Sequence, residues 1–216
     1  WIYDLIYPDF LPRIKQQNDI LLNRVKTKET KQILELGSGS GRQSLLLRKE
    51  GYDCLALDIS PQMVELAKKK NGSGNAQIGD ARNFATEVPL GAVVLGPLVT
   101  CFFLDNIDLS RTLQSAHQSL SKGGLLLCEF IAADWILANS FYNGFSKQEF
   151  KIAQGKITRF NECKLDLSTD AKYNWYSTYI FDLKDGLSTD TDEVLLRAFW
   201  PSEIDFFFTW EGFNIL

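Results

Sequence analysis

The 216-residue chain has one histidine and one methionine, and its four cysteines, Cys54, Cys101, Cys128 and Cys163, include no C-x-x-C pair. Neither a zinc site of closely spaced Cys and His ligands nor a disulfide framework is written here, and no metal is expected. Cys54 and Cys128 fall inside apolar strand-like runs, which reads as reduced core thiols of a cytoplasmic protein. A long apolar run is also missing. Ala92 to Leu104 is interrupted by Gly96, Pro97 and Thr100, and it falls short of the roughly 20 residues a membrane-spanning helix needs. No excess of positive charge exists: 23 Lys and Arg stand against 27 Asp and Glu, a net charge of −4. Neither a nucleic acid nor a membrane is therefore expected as a partner. The run Lys68-Lys69-Lys70 reads as cations in the last turn of a helix, where they meet the negative end of the dipole. No secretory signal is visible. The chain starts at Trp1 and stops at Leu216 inside an apolar run, so one or both natural termini are expected to be missing.

What is present alternates between short apolar runs and helical stretches, the pattern of βαβ units on a parallel sheet. Gln32–Leu36 reads as the first strand, followed by a glycine-rich turn and a helix carrying Leu45, Leu46 and Leu47. Tyr52–Asp58 is the second strand. Ser60-Pro61 then supplies a cap and a first-turn proline for a helix whose buried stripe is Met63, Val64, Leu66 and Ala67. Gly72–Asn75 is a loop, Ala76–Ile78 the third strand and Ala92–Leu95 the fourth. A helix over Leu109–Leu120 and a fifth strand over Leu125–Phe130 follow, separated by Lys122-Gly123-Gly124. Beyond residue 131, three runs rich in aromatic and β-branched residues read as antiparallel strands: Lys156–Asp166, Lys172–Leu183 and Thr191–Trp200. A helix from Pro201 to about Trp210, a stop at Gly212 and a further strand from Phe213 complete the chain. The expected fold is α/β, a doubly wound Rossmann-like, mostly parallel sheet with an antiparallel β insertion after the fifth strand. Its parts are a core (1–130), the antiparallel insertion (131–198) and a return to the core (199–216).

The informative segment is Glu35-Leu36-Gly37-Ser38-Gly39-Ser40-Gly41. Three alternating glycines let the backbone turn sharply and let a ligand approach without meeting a Cβ atom. A pyrophosphate-binding fingerprint needs its third glycine one position later, and here that position is Arg42. Asp58 ends the second strand, placed to accept hydrogen bonds from both hydroxyls of a ribose. Asp80 ends the third, where its carboxylate suits an adenine amino group and the Ala81 N–H a ring nitrogen. Glu35, Asp58 and Asp80 around one glycine turn suit a ligand with an amino group, a ribose and an adenine, and no phosphate.

These residues resemble the class I S-adenosylmethionine-dependent methyltransferases. The matching segments are Ile33 to Gly41, Leu57-Asp58-Ile59-Ser60 with Met63, Gly79-Asp80-Ala81-Arg82, and Leu120-Ser121-Lys122-Gly123-Gly124. Residues 1–130 and 199–216 carry the likeness. It implies S-adenosylmethionine as cofactor, with Gly37, Ser38 and Gly39 at the methionine part and Glu35 nearby. It further implies Asp58 on the ribose, Ile59 packed on the adenine, Met63 at the cofactor, Asp80 and Ala81 reading the adenine edge, and Gly96 lining the methyl-transfer cleft. The opening Tyr3-Asp4-Leu5-Ile6-Tyr7 looks like the Y-D-x-x-Y start of small-molecule enzymes such as glycine N-methyltransferases and aminosugar N,N-dimethyltransferases. In those enzymes an N-terminal segment closes over the cofactor, so Tyr3 or Tyr7 would touch it. Where the family often places an acid before the fourth strand, this chain has Leu90-Gly91.

Methyl transfer from a sulfonium asks the protein to align nucleophile and methyl, exclude water and keep an amine acceptor unprotonated. A missing triad is thus no obstacle, and His117, mid-helix, reads as a surface or packing residue. Glu129, at the C-terminal end of the fifth strand, is the candidate base or amine-orienting acid. Trp135, Tyr142, Tyr176, Tyr179, Arg197 and Trp200 are candidates for the acceptor pocket. Among them, Arg197 sits between apolar neighbours and should have a partner. The expected activity is methylation of a small-molecule amine by a monomer or homodimer. Open alternatives are O- or macromolecular methylation, aminopropyl transfer, and a noncatalytic scaffold that keeps the cofactor.

Overall fold

The computed structural model describes residues 4, 12–27, 31–96, 98–138, 145–166 and 170–216, with side chains for all of these but 12–14, 165 and 166. Tyr3, Tyr7 and Tyr142 lie outside the described residues. The chain divides into two compact units. One comprises Trp1–Thr100, Asp105–Glu129 and Phe206–Leu216, the other Cys101–Leu104 and Phe130–Asp205.

The first unit is built on five parallel strands: β1 (Gln32–Leu36), β2 (Asp53–Asp58), β3 (Ala76–Ile78), β4 (Leu90–Leu95) and β5 (Leu120–Cys128). Their order is β3-β2-β1-β4-β5. The winding reverses between β1, which pairs with β2 on one side, and β4 on the other. Crevices for ligands open at such a switch point, outside the carboxyl ends of the strands. All six residues of β4 are buried. This is why Leu-Gly-Ala-Val-Val-Leu carries no alternation: a central parallel strand is covered on both faces. Helices α1 (Pro12–Val25), α2 (Arg42–Lys49), α3 (Pro61–Asn71) and α4 (Asn106–Ser119) accompany the sheet. Leu21 and Val25 of α1 join Ile33, Leu47, Cys54, Ala92 and Val94 in one core cluster. Val64 and Ala67 of α3 join Ala56 and Ala76 in another. Each larger aliphatic chain so buried contributes about 1.5–3 kcal/mol.

β1 and β3 lie where the sequence puts them, and Ser60 caps α3 by accepting a hydrogen bond from the Met63 N–H. The fifth strand differs. It begins at Leu120, opposite Leu90, bulges through Lys122-Gly123-Gly124 and re-registers at Ala92↔Leu125. It ends at Cys128 rather than Phe130, so Glu129 stands just beyond it.

The second unit carries a short helix, α5 (Ala133–Ala138), and an antiparallel sheet in sequential order: β6 (Phe145–Ile152), β7 (Gly155–Asp166), β8 (Lys172–Leu183) and β9 (Gly186–Arg197). Four strands replace the three expected. β6, rich in Lys, Gln and Glu, is an edge strand exposed along most of its length, so no buried face marks it in the sequence. β9 begins five residues before the expected Thr191, again in an exposed stretch, and stops at Arg197.

Helix α6 (Pro201–Trp210) opens on proline as expected. It closes in a Schellman turn: the Gly212 N–H donates to Thr209 O at 3.1 Å and the Phe213 N–H to Phe208 O at 2.9 Å. That turn explains a correction. Phe213–Leu216 is not a strand; Phe213 folds back onto the helix and sets its ring edge-on to His117. His117 is thereby a packing residue at an exposed position, as its sequence context suggested.

Candidate active site at the glycine turn

The turn after β1 is held from both sides. Ser38 N–H donates to Leu57 O at 3.0 Å, and Gly39 N–H to Asp58 Oδ2 at 2.7 Å. The other oxygen of Asp58 accepts the Ser60 N–H at 2.8 Å. Asp58, 8 % exposed, thus clamps the glycine turn to the start of α3 and keeps lone pairs on both oxygens for a ligand. Gly37 lies in the left-handed region at φ 62, and a Cβ there would lie 2.5 Å from a methyl of Val99. Only glycine lets the two loops approach this closely.

Glu35 points into the same region and is 2 % exposed. Its Oε2 accepts the Ser44 N–H at 2.8 Å. Burial pushes its carboxyl up to about 8, opposed by the hydrogen bonds from Ser44 and reinforced by the nearby Asp58 charge. The space beside Gly96 brings the predicted residues together: a Cβ there would lie 3.7 Å from Glu35 Oε1, 3.7 Å from Gly37 O and 3.5 Å from Gln43 Oε1. Gln43 had no signal in the sequence. Its Oε1 and the hydroxyl of Ser38 are buried with no hydrogen-bond partner among the described residues, a state that calls for a ligand's donors or water.

The third acid is differently placed. Asp80 follows β3, and Gly79 N–H donates to Asp58 O at 3.0 Å, so the two strand ends adjoin. Arg82 grips both Asp80 oxygens, with Nε at 2.9 Å from Oδ1 and Nη2 at 2.7 Å from Oδ2, and its Nη1 reaches Asp108 of α4 at 3.1 Å. The Arg82 side chain holds the Asp80 carboxyl below its usual range. The sequence reading left that carboxylate open to adenine; here its two oxygens already serve Arg82. Ala81 is half-buried beside it, Met63 is half-buried, and Ile59 is 64 % exposed.

Glu129 stands at the carboxyl end of the sheet. Its carbonyl accepts the Thr100 hydroxyl at 2.7 Å, and its carboxylate accepts the Gln17 amide of α1. Gln17 is a second residue the sequence did not single out, because a polar residue in a polar helical run acquires meaning only from the side it faces.

The expected acceptor residues do not share one surface. Trp135 is half-exposed on α5, and Trp200, just before α6, is exposed at 41 %. Tyr179 of β8 stacks on Phe181, while Tyr176 lies under the Lys164 ammonium. Arg197 pairs with Lys172 in the ladder and Tyr179 with Asp190. Positions 172 and 179 of β8 differ by an odd number, so Arg197 and Tyr179 project from opposite faces of the sheet. Grouping them in one pocket is corrected on that ground. Arg197, 2 % exposed, has the partner its context demanded, the Glu203 carboxylate, and lies 4.6 Å from the centroid of the Phe199 ring. Tyr179's face carries a buried polar cluster instead: Asn161 Oδ1 accepts from Arg159 Nε at 2.5 Å and Ser177 Oγ at 2.9 Å, and Trp175 Nε1 donates to Ser177 Oγ at 3.0 Å.

The chain is similar to known proteins in sequence and in fold. A methyltransferase-domain family matches residues 34–128. A dTDP-3-amino-3,4,6-trideoxy-alpha-D-glucopyranose N,N-dimethyltransferase of Streptomyces venezuelae is 22 % identical over 99 % of this chain and 89 % of its own length. Among solved structures, a sugar N-methyltransferase from a Streptoalloteichus species superposes with a TM-score of 0.83 at 16 % identity, over 97 % of this chain and 83 % of that one. An S-adenosylmethionine-bound amino pentose methyltransferase from Micromonospora echinaspora does so with 0.81 at 17 %, over 98 % and 88 %.

Proposed function

We propose that this chain, a class I S-adenosylmethionine-dependent methyltransferase, methylates the amine nitrogen of a small molecule, with an aminosugar as the acceptor class. The single observation that carries the site is the Asp58 clamp: one buried carboxylate fixes the glycine turn by Gly39 N–H and the next helix by Ser60 N–H. The residues present fit the cofactor. Asp58 is assigned to the ribose hydroxyls, and Ile59, Met63 and the Ala81 N–H to the adenine. Gly37, Gly39, Gly96 and the unpartnered oxygens of Ser38 and Gln43 are assigned to the methionine part, with Glu35 beside them. Asp80 is assigned to the adenine edge in partnership with Arg82. The charge of Asp58 at the turn disfavours a phosphate there, which favours a nucleoside ligand without one.

When bound, the cofactor supplies a methyl group on a positively charged sulfur, displaced in line. The chain's own part is to orient and to exclude water. Glu129, held by Gln17 and tied through its carbonyl to Thr100, accepts a hydrogen bond from the acceptor's N–H and sets the direction of its lone pair. Recognition of the acceptor is assigned to the antiparallel unit, on the face where Tyr179 accompanies Arg159, Asn161 and Ser177. That polar lining suits a hydroxylated acceptor, and the relative from Streptomyces venezuelae takes an aminosugar nucleotide. The four described thiols are free, and no described helix is long and apolar enough to cross a membrane. Both features support a cytoplasmic setting.

Calorimetry tests the site. S-adenosylmethionine and S-adenosylhomocysteine should bind and NAD should not. Asp58→Ala should weaken both ligands by about 2 kcal/mol or more, roughly 30-fold. Unchanged affinity in that variant removes the ribose assignment. Formation of S-adenosylhomocysteine on adding a dTDP-aminosugar, abolished or strongly reduced in Glu129→Gln, tests the acceptor.

A further inference from the structure

The last turn of α3 lies flush against the back of the glycine turn. Asn71 Nδ2 donates to Gly41 O at 2.9 Å, and a Cβ on Gly41 would lie 2.5 Å from that nitrogen and 2.8 Å from Ala67 Cβ. One residue earlier, Lys70 departs from the ordinary behaviour of a helix-terminal lysine. Lys68 shows that behaviour, pairing at 3.0 Å with Glu65 on its own helix. Lys70 instead donates to Ser40 Oγ at 2.8 Å and to Asp4 Oδ2 at 2.5 Å, while Ser40 Oγ donates to Asp4 Oδ1 at 2.5 Å. The three side chains close a ring.

An isolated exposed ion pair would count for little. This one is different in two ways. Ser40 is 1 % exposed, so its hydroxyl has no solvent to replace a lost partner. It is also the residue next to Gly39, whose N–H binds Asp58. Fixing Ser40 therefore restrains its neighbour Gly39, whose N–H faces the carboxylate assigned to the ribose. Asp4 is 66 residues away from Lys70 in sequence, so the ring joins side chains that only the fold brings together. Partial burial works against the Asp4 charge, and the hydrogen bonds from Lys70 and Ser40 outweigh it, holding the carboxyl below its usual range.

We propose that Lys70 is a positioning residue for the cofactor: together with Asp4 it holds Ser40, and through Ser40 it sets the glycine turn against which the nucleoside is retained. The inference rests on the reading that this turn holds the cofactor. Neither side chain is assigned a contact with the cofactor, so the effect should fall on retention rather than on encounter.

The test is stopped-flow binding and release of S-adenosylhomocysteine by the full chain and by Lys70→Met, Asp4→Asn and the double variant. Each single variant should raise the dissociation rate about tenfold and leave the association rate within about twofold; the double variant should be no worse than either single one, because both break one ring. The reversed pair, Asp4→Lys with Lys70→Asp, should recover most of the loss, which general destabilisation cannot produce. If Lys70→Met does not fold, Asp4→Asn alone decides, since it removes a charge without emptying space. Dissociation rates within twofold of wild type in the folded single variants, with binding still lost in Asp58→Ala, overturn the ring and leave the site standing. Full binding in Asp58→Ala overturns the site reading and the inference with it.

Discussion

A carboxyl group buried as deeply as Glu35 keeps its proton where an exposed one has lost it. In the folded chain it titrates at about 8, against 4.5 when unperturbed, and desolvation is the main cause. Between those pH values the native state holds a proton that the unfolded chain has released. The associated stability is present in full below the unfolded value and is lost as pH rises through the folded one. Unfolding in urea at pH 5 and pH 8 should therefore show a declining component, at most about 1.4 kcal/mol per pH unit for one proton, that is absent in Glu35→Gln. A cationic ligand beside Glu35 favours the ionised form. Binding of S-adenosylmethionine at pH 7 should accordingly release protons, read as a dependence of the calorimetric heat on the buffer's ionisation enthalpy; Glu35→Gln should lose it. Legibility at this scale follows position. Asp58 could be read from the sequence because a strand end fixes where its carboxylate goes. Gln43, Gln17 and the ring role of Lys70 could not, since each depends on the direction of a flexible side chain. The Asp80–Arg82 pair stood two residues apart in a quoted motif, yet nothing in the sequence says that the guanidinium turns back.

Elements meet at the glycine turn through backbone shape. Gly41 caps α2 from the left-handed region, φ 75, and faces Asn71 and Ala67 of α3 with no room for a methyl group. Gly123, in the bulge of β5, has the same φ of 75 and open space around its Cβ position. Gly41→Ala should cost about 2–4 kcal/mol in urea unfolding, the sum of backbone strain and overpacking, and Gly123→Ala only about 1 kcal/mol. Equal losses would show that α3 yields to the intruding methyl and does not brace the turn. The elements that could be read in the sequence are those with a buried face. β1, β3 and α6 have the predicted bounds because burial imposes a pattern and Ser, Pro or Gly marks an end. β6 and the first half of β9 are exposed along most of their length, so no hydrophobic periodicity records them. The four-residue tail after Gly212 failed for the opposite reason. Phe213-Asn214-Ile215-Leu216 has the composition of a strand, but Phe213 is committed to the Schellman turn and to His117.

At the scale of the whole molecule, charge separates the candidate acceptors. The chain carries −4 overall, and acids crowd the carboxyl end of the parallel sheet, with Glu35, Asp58, Asp80 and Glu129 all at or beside strand ends. A nucleic acid brought to that edge would meet like charge with few counterions to release, whereas its binding elsewhere depends on basic surfaces. A small amine meets the reverse: the acidic edge attracts the protonated form from solution, and Glu129 can orient the neutral form on arrival. Incubating the protein with methyl-labelled S-adenosylmethionine and a cell extract should therefore put label into the acid-soluble, small-molecule fraction and leave the precipitated nucleic acid and protein at background. Fragmentation of the labelled products in a mass spectrometer should place the methyl group on nitrogen. Label in precipitated RNA or protein, present with wild type and gone with Asp58→Ala, would reverse the assignment to a macromolecular substrate. A methyl group placed on oxygen in acid-soluble material would move it from nitrogen to oxygen.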